Sequence, residues 1–326
     1  MRFGAHVRAG TTLLPAIARA EAIGADVVQV FTQSPRAWKP TQYYPEILAA
    51  YREATDRHPG GLPTFCHATY LINLASPDPE RFSLSTSCLA ANLAVARAIG
   101  AKGLVLHAGS HLGAGFDTCL AQVAEALVDA LEATGDSATV AAACPILIEN
   151  TAGAGGTVGR SLDELTRLLE AAGDRPDIGI CLDTQHMWAA GIPFGSLKEA
   201  DALVAEVDRA IGLGRLGCLH VNDSGVPFGA QRDRHANIGE GTIGAEALGC
   251  LLGHPDLDDV PAILEVPGEG QGAGAKDVAA LRSAHALGAG LRGTAQPLRD
   301  LAASALRPAP GSPKLSAGSN QARRTR

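Results

Sequence analysis

The stretch "IGICLDTQHMW", residues 178–188, begins as an apolar run and turns polar at Asp183, with His186 three residues later. Aspartate is rarely left unpaired inside a protein. A carboxylate and an imidazole at the mouth of a buried strand have three readings. They are metal ligands, members of a salt bridge, or an aspartate that caps a helix beside a neighbour. The stretch alone leaves all three open.

Working outward, the run Ile178–Asp183 is one of eight of its kind. The others are Phe3–Val7, Val27–Phe31, Thr64–His67, Leu104–His107, Ile146–Glu149, Gly217–Val221 and Ala262–Glu265. Longer Ala-rich stretches with helical spacing lie between them, for example Leu13–Ile23, Ser83–Ile99, Thr118–Ala133, Leu162–Ala172, Leu197–Ile211 and Ala245–Leu252. Gly24, Gly100, Gly173 and Gly212 fall just past four of these, where a left-handed cap is wanted. Eight β–α units predict a single α/β domain, a (β/α)8 TIM barrel over residues 1–290. A doubly wound sheet would usually use fewer units. After Gly290 the pattern decays into Ala, Pro, Ser, Gly and Arg, ending in "RPAPGSPKLSAGSNQARRTR". Residues 291–326 therefore read as a low-complexity basic tail, expected to be disordered.

The 46% hydrophobic content is ample for a core of this size. No apolar run is long enough for a membrane span, and residues 1–10 lack the apolar core of a signal peptide. Seven cysteines stand singly, without a CxxC pair, which points to a reducing, cytoplasmic setting. The net charge is −7, although residues 307–326 hold five basic residues and no acid. Net charge alone therefore speaks against nucleic acid as a partner of the body.

The ends of the later runs carry the chemistry. In order they finish at His67, His107, Glu149 and Asp183 (with His186 beyond), reach His220, and finish at Glu265. Active sites of such barrels lie at the C-terminal ends of the strands. One strand-end histidine is usually a hydrogen-bonded core group. Three histidines and three carboxylates converging on one face would repel or stay unpaired without a cation. Metal binding explains the set. After the seventh run, "QRDRHANIGEG" (231–241) places Asp233 and His235 two apart, on one side of an extended loop. A solvated charged loop is the alternative there, but beside His186 the pair suggests a further metal set.

At this point the chain resembles the endonuclease IV family of metal-dependent apurinic/apyrimidinic endonucleases. The resemblance runs from Arg2 to about Leu287 and rests on "GAHV" (4–7), "CHATYLINLASP" (66–77), "LHAGSH" (106–111), "LIENTAGAG" (147–155), "CLDTQHMWAAG" (181–191), "LHVND" (219–223), "DRHANIGEG" (233–241) and "ILEVPG" (263–268). It implies three Zn2+ ions per chain, with Mn2+ admissible at one site. The first would take His67, His107 and Glu149. The second would share Glu149 and add Asp183, His220 and Glu265. The third would take His186, Asp233 and His235. Oxygen and imidazole donors without thiolate suit zinc or manganese. Gln185 stands where the family usually has Cys, Ile192 where an aromatic is common, Arg8 where a small residue follows "GAHV", and Val266 where Thr is usual. "SGVPFGAQ" (224–231) lacks a Lys often found there.

The implied activity is hydrolysis of the phosphodiester 5′ to an abasic site in double-stranded DNA, leaving a 3′ hydroxyl and a 5′ deoxyribose phosphate. Zinc lowers the pKa of bound water to roughly 7, so no side-chain nucleophile is needed. Glu149 and Glu265 are the carboxylates expected at the catalytic centre. An abasic sugar must leave the duplex to reach such a pocket, and the matching DNA-binding positions are Arg36, Tyr70 and Leu71. Arg8, Arg36, Arg160, Arg232 and Arg234 come from loops at that end, and local field, not net charge, governs encounter. No membrane partner is expected, and a monomer is. The rival is a metal-dependent sugar isomerase or epimerase on a related barrel, for which Glu149, Asp183, His220 and Glu265 alone would suffice. Such an enzyme has no need of His67, His107, His186 and His235. A second rival is a lesion-binding or metal-holding protein without activity.

Overall fold

The structure is a computed structural model that describes residues 1–10, 12–135 and 144–305, the side chains of 295–305 excepted. The expected runs become strands β1 (Phe3–His6), β2 (Val27–Phe31), β3 (Thr64–His67), β4 (Leu104–Leu106), β5 (Ile146–Glu149), β6 (Ile178–Asp183), β7 (Leu216–His220) and β10 (Ala262–Leu264). They pair in parallel and close into a barrel in the order β1-β10-β7-β6-β5-β4-β3-β2. The chain is thus the eight-stranded TIM barrel that its alternating pattern implies. A two-stranded antiparallel arm, β8 (Asp223–Ser224) with β9 (His235–Ala236), stands outside the barrel after β7.

Among the described residues the α-helices are α1 (Pro15–Ala22), α2 (Pro45–Arg57), α3 (Pro79–Ala98), α4 (Phe116–Ala133), α5 (Leu162–Ala171), α6 (Thr184–Ala190), α7 (Leu197–Ala210), α8 (Ala245–Leu252) and α9 (Ala275–Ala305). Their starts are written locally. Proline sits in the first turn of α1, α2 and α3, where its missing N–H costs nothing. Asp78 caps α3, Ser161 caps α5, and Ser196 with Glu199 forms a reciprocal capping box on α7. Helix α9 packs on α8 through glycine. A Cβ at Gly288 would lie 1.7 Å from the Gly249 carbonyl oxygen, so only glycine permits this approach. The helix continues past Gly290, where the sequence pattern decays; the part of the expected tail at 306–326 lies outside the described residues.

One parity rule connects the barrel core to the site. The barrel is plugged by Val27, Phe65, Val105, Leu147, Cys181, Cys218 and Ile263, one residue from each of seven strands. Gly4 of β1 stands beside Val27 in register. Side chains of a strand alternate in direction with period two. Two residues beyond each member of this layer, toward the C-terminal face, come His6, Gln29, His67, His107, Glu149, Asp183, His220 and Glu265. The apolar plug and the polar crown above it are therefore successive inward layers of the same eight segments.

Candidate metal centre

Three groups of side chains bring ligand atoms close enough to share a cation: His67–His107–Glu149, Glu149–Asp183–His220–Glu265, and Asp183–His186–His235. Glu149 is completely buried and divides its two oxygens between groups. Its Oε2 lies 3.3 Å from His67 Nε2 and 3.3 Å from His107 Nε2. Its Oε1 lies 3.0 Å from His220 Nδ1 and 3.3 Å from His186 Nδ1. One carboxylate oxygen per group is the disposition of a bridging ligand. Glu265 Oε2 completes the second group at 3.4 Å from His220 Nδ1.

The third group differs in one member from the set expected on resemblance. Asp233 turns Oδ2 to His186 Nε2 at 3.4 Å and Oδ1 to His235 Nε2 at 3.2 Å. Asp183 Oδ2 also lies 3.8 Å from His235 Nε2. The fold thus places two carboxylates around the same two imidazoles. Asp233 makes the shorter approach to His235, but with a different oxygen for each ring and from an exposed position on the β8–β9 arm.

The imidazoles are tied down from behind. Four of the histidines have one nitrogen on a partner outside the cluster. Nδ1 of His67 meets the Ala68 carbonyl at 2.7 Å, Nδ1 of His186 the Asn150 carbonyl at 3.0 Å, and Nδ1 of His235 the Glu265 carbonyl at 3.2 Å. His220 does the same through Nε2, which meets Gln29 Oε1 at 2.9 Å. Each outer nitrogen faces an acceptor, so it carries the hydrogen, and the inner nitrogen keeps its lone pair toward the cluster. This is the support that metal-bound histidines receive. His235 Nε2 is in addition buried and has no hydrogen-bond partner, as expected of an atom whose natural partner is a cation. The residues present therefore fit divalent metal.

Electrostatics agree. Burial would push Glu149 up, but His107, His220 and His186 outweigh it and hold the carboxyl well below its usual range. Glu265 is held far down against burial by His220, His6 and His67. Burial pushes His220 down, yet Glu265 and Glu149 raise it well above the ordinary imidazole value. His186 is raised likewise by Asp183, Asp233 and Glu149 against its burial. Without metal, Glu149 and Glu265 are thus favoured as anions and His186 and His220 are pushed toward protonation; a cation would take the place of the inner protons and meet the lone pairs there.

A fourth group, Cys181–Cys218–His220, lies one layer lower. Burial raises the Cys181 thiol well above its usual value, and both nitrogens of His220 are already engaged, so this group stays apart from the polar centre.

Asn222 and Asn150 orient the acids. Asn222 Nδ2 donates to Asp183 Oδ2 at 2.6 Å, while its Oδ1 accepts from the Glu265 amide at 2.9 Å. Asn150 Oδ1 accepts from the Asp183 amide at 2.6 Å. Asp223, buried beside them, is structural: it accepts the amides of Gly239 and Ile243, both at 2.9 Å, and folds the "NIGEG" loop back onto the arm. His111 Nδ1 likewise accepts two loop amides, from Gly113 and Gly115.

Two clefts of about 680 and 410 Å³ flank the centre. The larger is lined by His6, Phe31, Tyr43, His235 and Glu265, the smaller by Leu71, Arg81, His107, His186 and Asp233, and Tyr70 borders both. Tyr70 is 55% exposed despite its size. Its amide and the Thr69 hydroxyl both donate to the Pro35 carbonyl, which places Arg36 and Tyr70 on adjoining loops. Arg8, Arg36, Arg160, Arg232 and Arg234 are all exposed in loops at this end, although Arg160 is paired with Glu164 at 3.2 Å.

Residues 17–286 match the family model of xylose isomerase-like TIM barrels. A protein of Chloroflexus aurantiacus named "Probable endonuclease 4" is 37% identical over 284 residues, covering 86% of this chain and 97% of its own length. The chain belongs to the endonuclease IV family. The crystal structure of endonuclease IV from Thermus thermophilus superimposes with a TM-score of 0.74 at 32% identity, covering 87% of this chain and 98% of that one. A D-tagatose 3-epimerase-like protein also aligns, with a TM-score of 0.59 at 19% identity over 87% of this chain and 95% of that one, and shares the fold. Among the described residues no helix is long and apolar enough to cross a membrane.

Within the endonuclease IV family, the departures noted in the sequence now have places. Gln185 is fully buried, and its Nε2 donates to the Arg232 carbonyl at 3.0 Å, tying helix α6 to the arm that carries Asp233. Arg8 and Val266 line the larger cleft, and Ile192 packs half-buried against the core. Two crown residues, His6 and Gln29, escaped the sequence reading, which followed polar strand ends only from the third strand onward. The period-two rule applied to the first two strands would have found them.

Proposed function

We propose that this chain is a zinc-dependent apurinic/apyrimidinic endonuclease that acts as a monomer on double-stranded DNA and hydrolyses the phosphodiester 5′ to an abasic site. The observation that carries the reading is the set of inward lone pairs on His67, His186, His220 and His235 around a Glu149 that gives one oxygen to each of two groups. The three ions would be held by His67, His107 and Glu149; by Glu149, Asp183, His220 and Glu265; and by His186, Asp233 and His235. When bound, zinc supplies Lewis acidity, activating water near neutral pH and offsetting charge on phosphate oxygens.

The chain's own residues do the remaining work. Glu149 and Glu265 neutralise and space the centre from inside the barrel. Asp233 and His235, on the arm, hold the ligands nearest the open face. Tyr70 stands between the two clefts, so a strand laid across the face meets its ring where an extruded sugar would leave the stack, with Leu71 and Arg36 beside it. Each cleft lies within the usual range for a small-molecule site and is ample for a sugar phosphate. The exposed arginines supply phosphate contacts that an acidic body would otherwise lack.

The epimerase-like reading has one observation in its favour, the self-sufficient Glu149–Asp183–His220–Glu265 group. It leaves His67, His107, His186 and His235 without a task. The deciding experiment incubates the protein with an abasic-site duplex, with and without chelator, alongside metal analysis. Chelator-sensitive nicking 5′ to the lesion with about three zinc ions per chain supports the endonuclease. One metal per chain and no nicking, with turnover of a ketose, overturns it.

A further inference from the structure

Gln29 is fully buried on β2, has no role in the ligand sets above, and touches two of their members at once. Its Nε2 donates to Glu265 Oε1 at 2.7 Å, and its Oε1 accepts from His220 Nε2 at 2.9 Å. The same Nε2 lies 3.0 Å from His6 Nδ1. The orientation of this amide is not arbitrary. Turned the other way, its oxygen would face the Glu265 oxygen, acceptor against acceptor. Its N–H would then point at His220 Nε2, forcing the ring hydrogen onto Nδ1, the nitrogen that faces Glu149. Only the orientation observed satisfies both neighbours.

That orientation has a chemical consequence. The Gln29 oxygen fixes the His220 hydrogen on Nε2 and leaves the Nδ1 lone pair inward. The Gln29 N–H, with His6 Nδ1 beside it at 3.1 Å, occupies Glu265 Oε1 and leaves Oε2 inward. Those two inward atoms, His220 Nδ1 and Glu265 Oε2, lie 3.4 Å apart. We infer that Gln29 is a positioning residue that selects which nitrogen of His220 and which oxygen of Glu265 are presented to the second metal. The inference rests on the metal reading of the centre, not on the DNA substrate. It predicts a graded response. A thioether side chain of equal length loses the selection on His220 and leaves Glu265 Oε1 to His6 alone. A glutamate keeps an acceptor for His220 but sets a carboxylate against Glu265, so only that half is lost.

The test uses the zinc-loaded full chain, with Gln29→Met and Gln29→Glu beside the wild type. Zinc content is measured across a series of zinc-buffered solutions, and the ring N–H of His220 is followed by NMR as a slowly exchanging signal. Occupancy of one zinc in wild type should show a dissociation constant raised about 10- to 100-fold in both variants. The His220 N–H signal should vanish in Gln29→Met and persist in Gln29→Glu. Excess zinc should restore nuclease activity to Gln29→Met, since the reacting groups are untouched. A filler role for Gln29 gives the contrary result: zinc affinities within about twofold of wild type and an unchanged His220 signal in Gln29→Met. If Gln29→Met fails to fold, Gln29→Glu alone decides, because unaltered zinc affinity with a carboxylate placed against Glu265 overturns the inference. A wild-type chain that binds no zinc at all would instead refute the metal reading beneath it.

Discussion

Replacing Glu149 by glutamine keeps the volume of the buried side chain and removes one oxygen. In the structure the two oxygens serve different groups, Oε2 facing His67 and His107, Oε1 facing His220 and His186, all at 3.0–3.3 Å. An amide has one acceptor. Whichever way it turns, one side keeps a neutral oxygen and the other meets an N–H, directed at the lone pair of His67 Nε2 or of His220 Nδ1. Removal of a mere supporting partner costs a metal site about 10- to 100-fold in affinity. Loss of a direct ligand should cost the affected site at least the upper figure, about 2.7 kcal/mol. The site that keeps the oxygen still loses a negative charge. Glu149→Gln is therefore expected to fall from three metals per chain to two or fewer after desalting, and to nick abasic DNA about a thousandfold more slowly or worse, as both the water-activating charge and its spacing are lost. Circular dichroism would show that the barrel persists. A variant that retains three metals through desalting and cleaves within about threefold of wild type would refute the bridging role, and with it the shared-carboxylate architecture.

Four other outcomes follow from the same centre. His186→Ala should lose one metal, spare the groups around Glu149, and slow nicking with little change in affinity for an abasic duplex; cleavage at the wild-type rate with one metal fewer would remove the third site from the mechanism. Asp183→Asn should keep the cap on α6, since asparagine is as good an N-cap, yet weaken zinc retention, so a chain that melts lower but holds its metals would assign Asp183 to the fold alone. Protons should compete with metal: burial lowers His186 and His220, but their carboxylates raise both well above the ordinary imidazole value, so calorimetry in buffers of different ionisation heat should find protons released as metal binds, with affinity climbing as pH rises, and release of none would contradict the assignment. The raised imidazoles stabilise the metal-free chain fully below about pH 6.5 and progressively less as pH rises through their folded values. The lowered Glu149 and Glu265 stabilise it above about pH 4.5 and fail below. Chelated protein should thus melt highest between those limits, and a flat profile would contradict the charge assignment.

The barrel was legible because eight short apolar runs alternate with helical stretches, several of which carry a proline or a capping side chain at their start. The candidate ligands stand out together rather than singly: one His at a strand end is usually a hydrogen-bonded core group, but three histidines and three carboxylates on one face ask for a cation. What escaped is instructive. Gln29 sits inside "VVQVF", before the end of the run, and an amide in a strand carries no signal of chemistry until its neighbours are known. His6 precedes Val7, so the run reads past it. Helix α2 carries a weak signal, since in "PEILAAYREATDR" the charges gather from Arg52 to Arg57 and only Tyr51 and Thr55 are buried. The competing claims of Asp183 and Asp233 on His235 are likewise beyond sequence, because they depend on how the β8–β9 arm folds back over the barrel mouth.

The two readings of Asp183, cap and ligand, are one device. Its Oδ1 accepts the His186 amide at 2.8 Å and so caps α6. The other oxygen, Oδ2, is held by Asn222 at 2.6 Å and faces His235. A cap bonds the amide two or three positions on, so capping itself places His186 in the first turn, with its ring returned over the strand end it follows. The Asp-x-x-His spacing is then a consequence of helix geometry: the residue that ends the strand starts the helix, and the helix delivers the next ligand. Gln185, between them, uses the same turn to reach Arg232 and hold the arm that brings Asp233 and His235. The third group therefore depends on a single helix start, in the way that the second depends on Gln29. The second and third groups thus rest on separate supports and share Asp183.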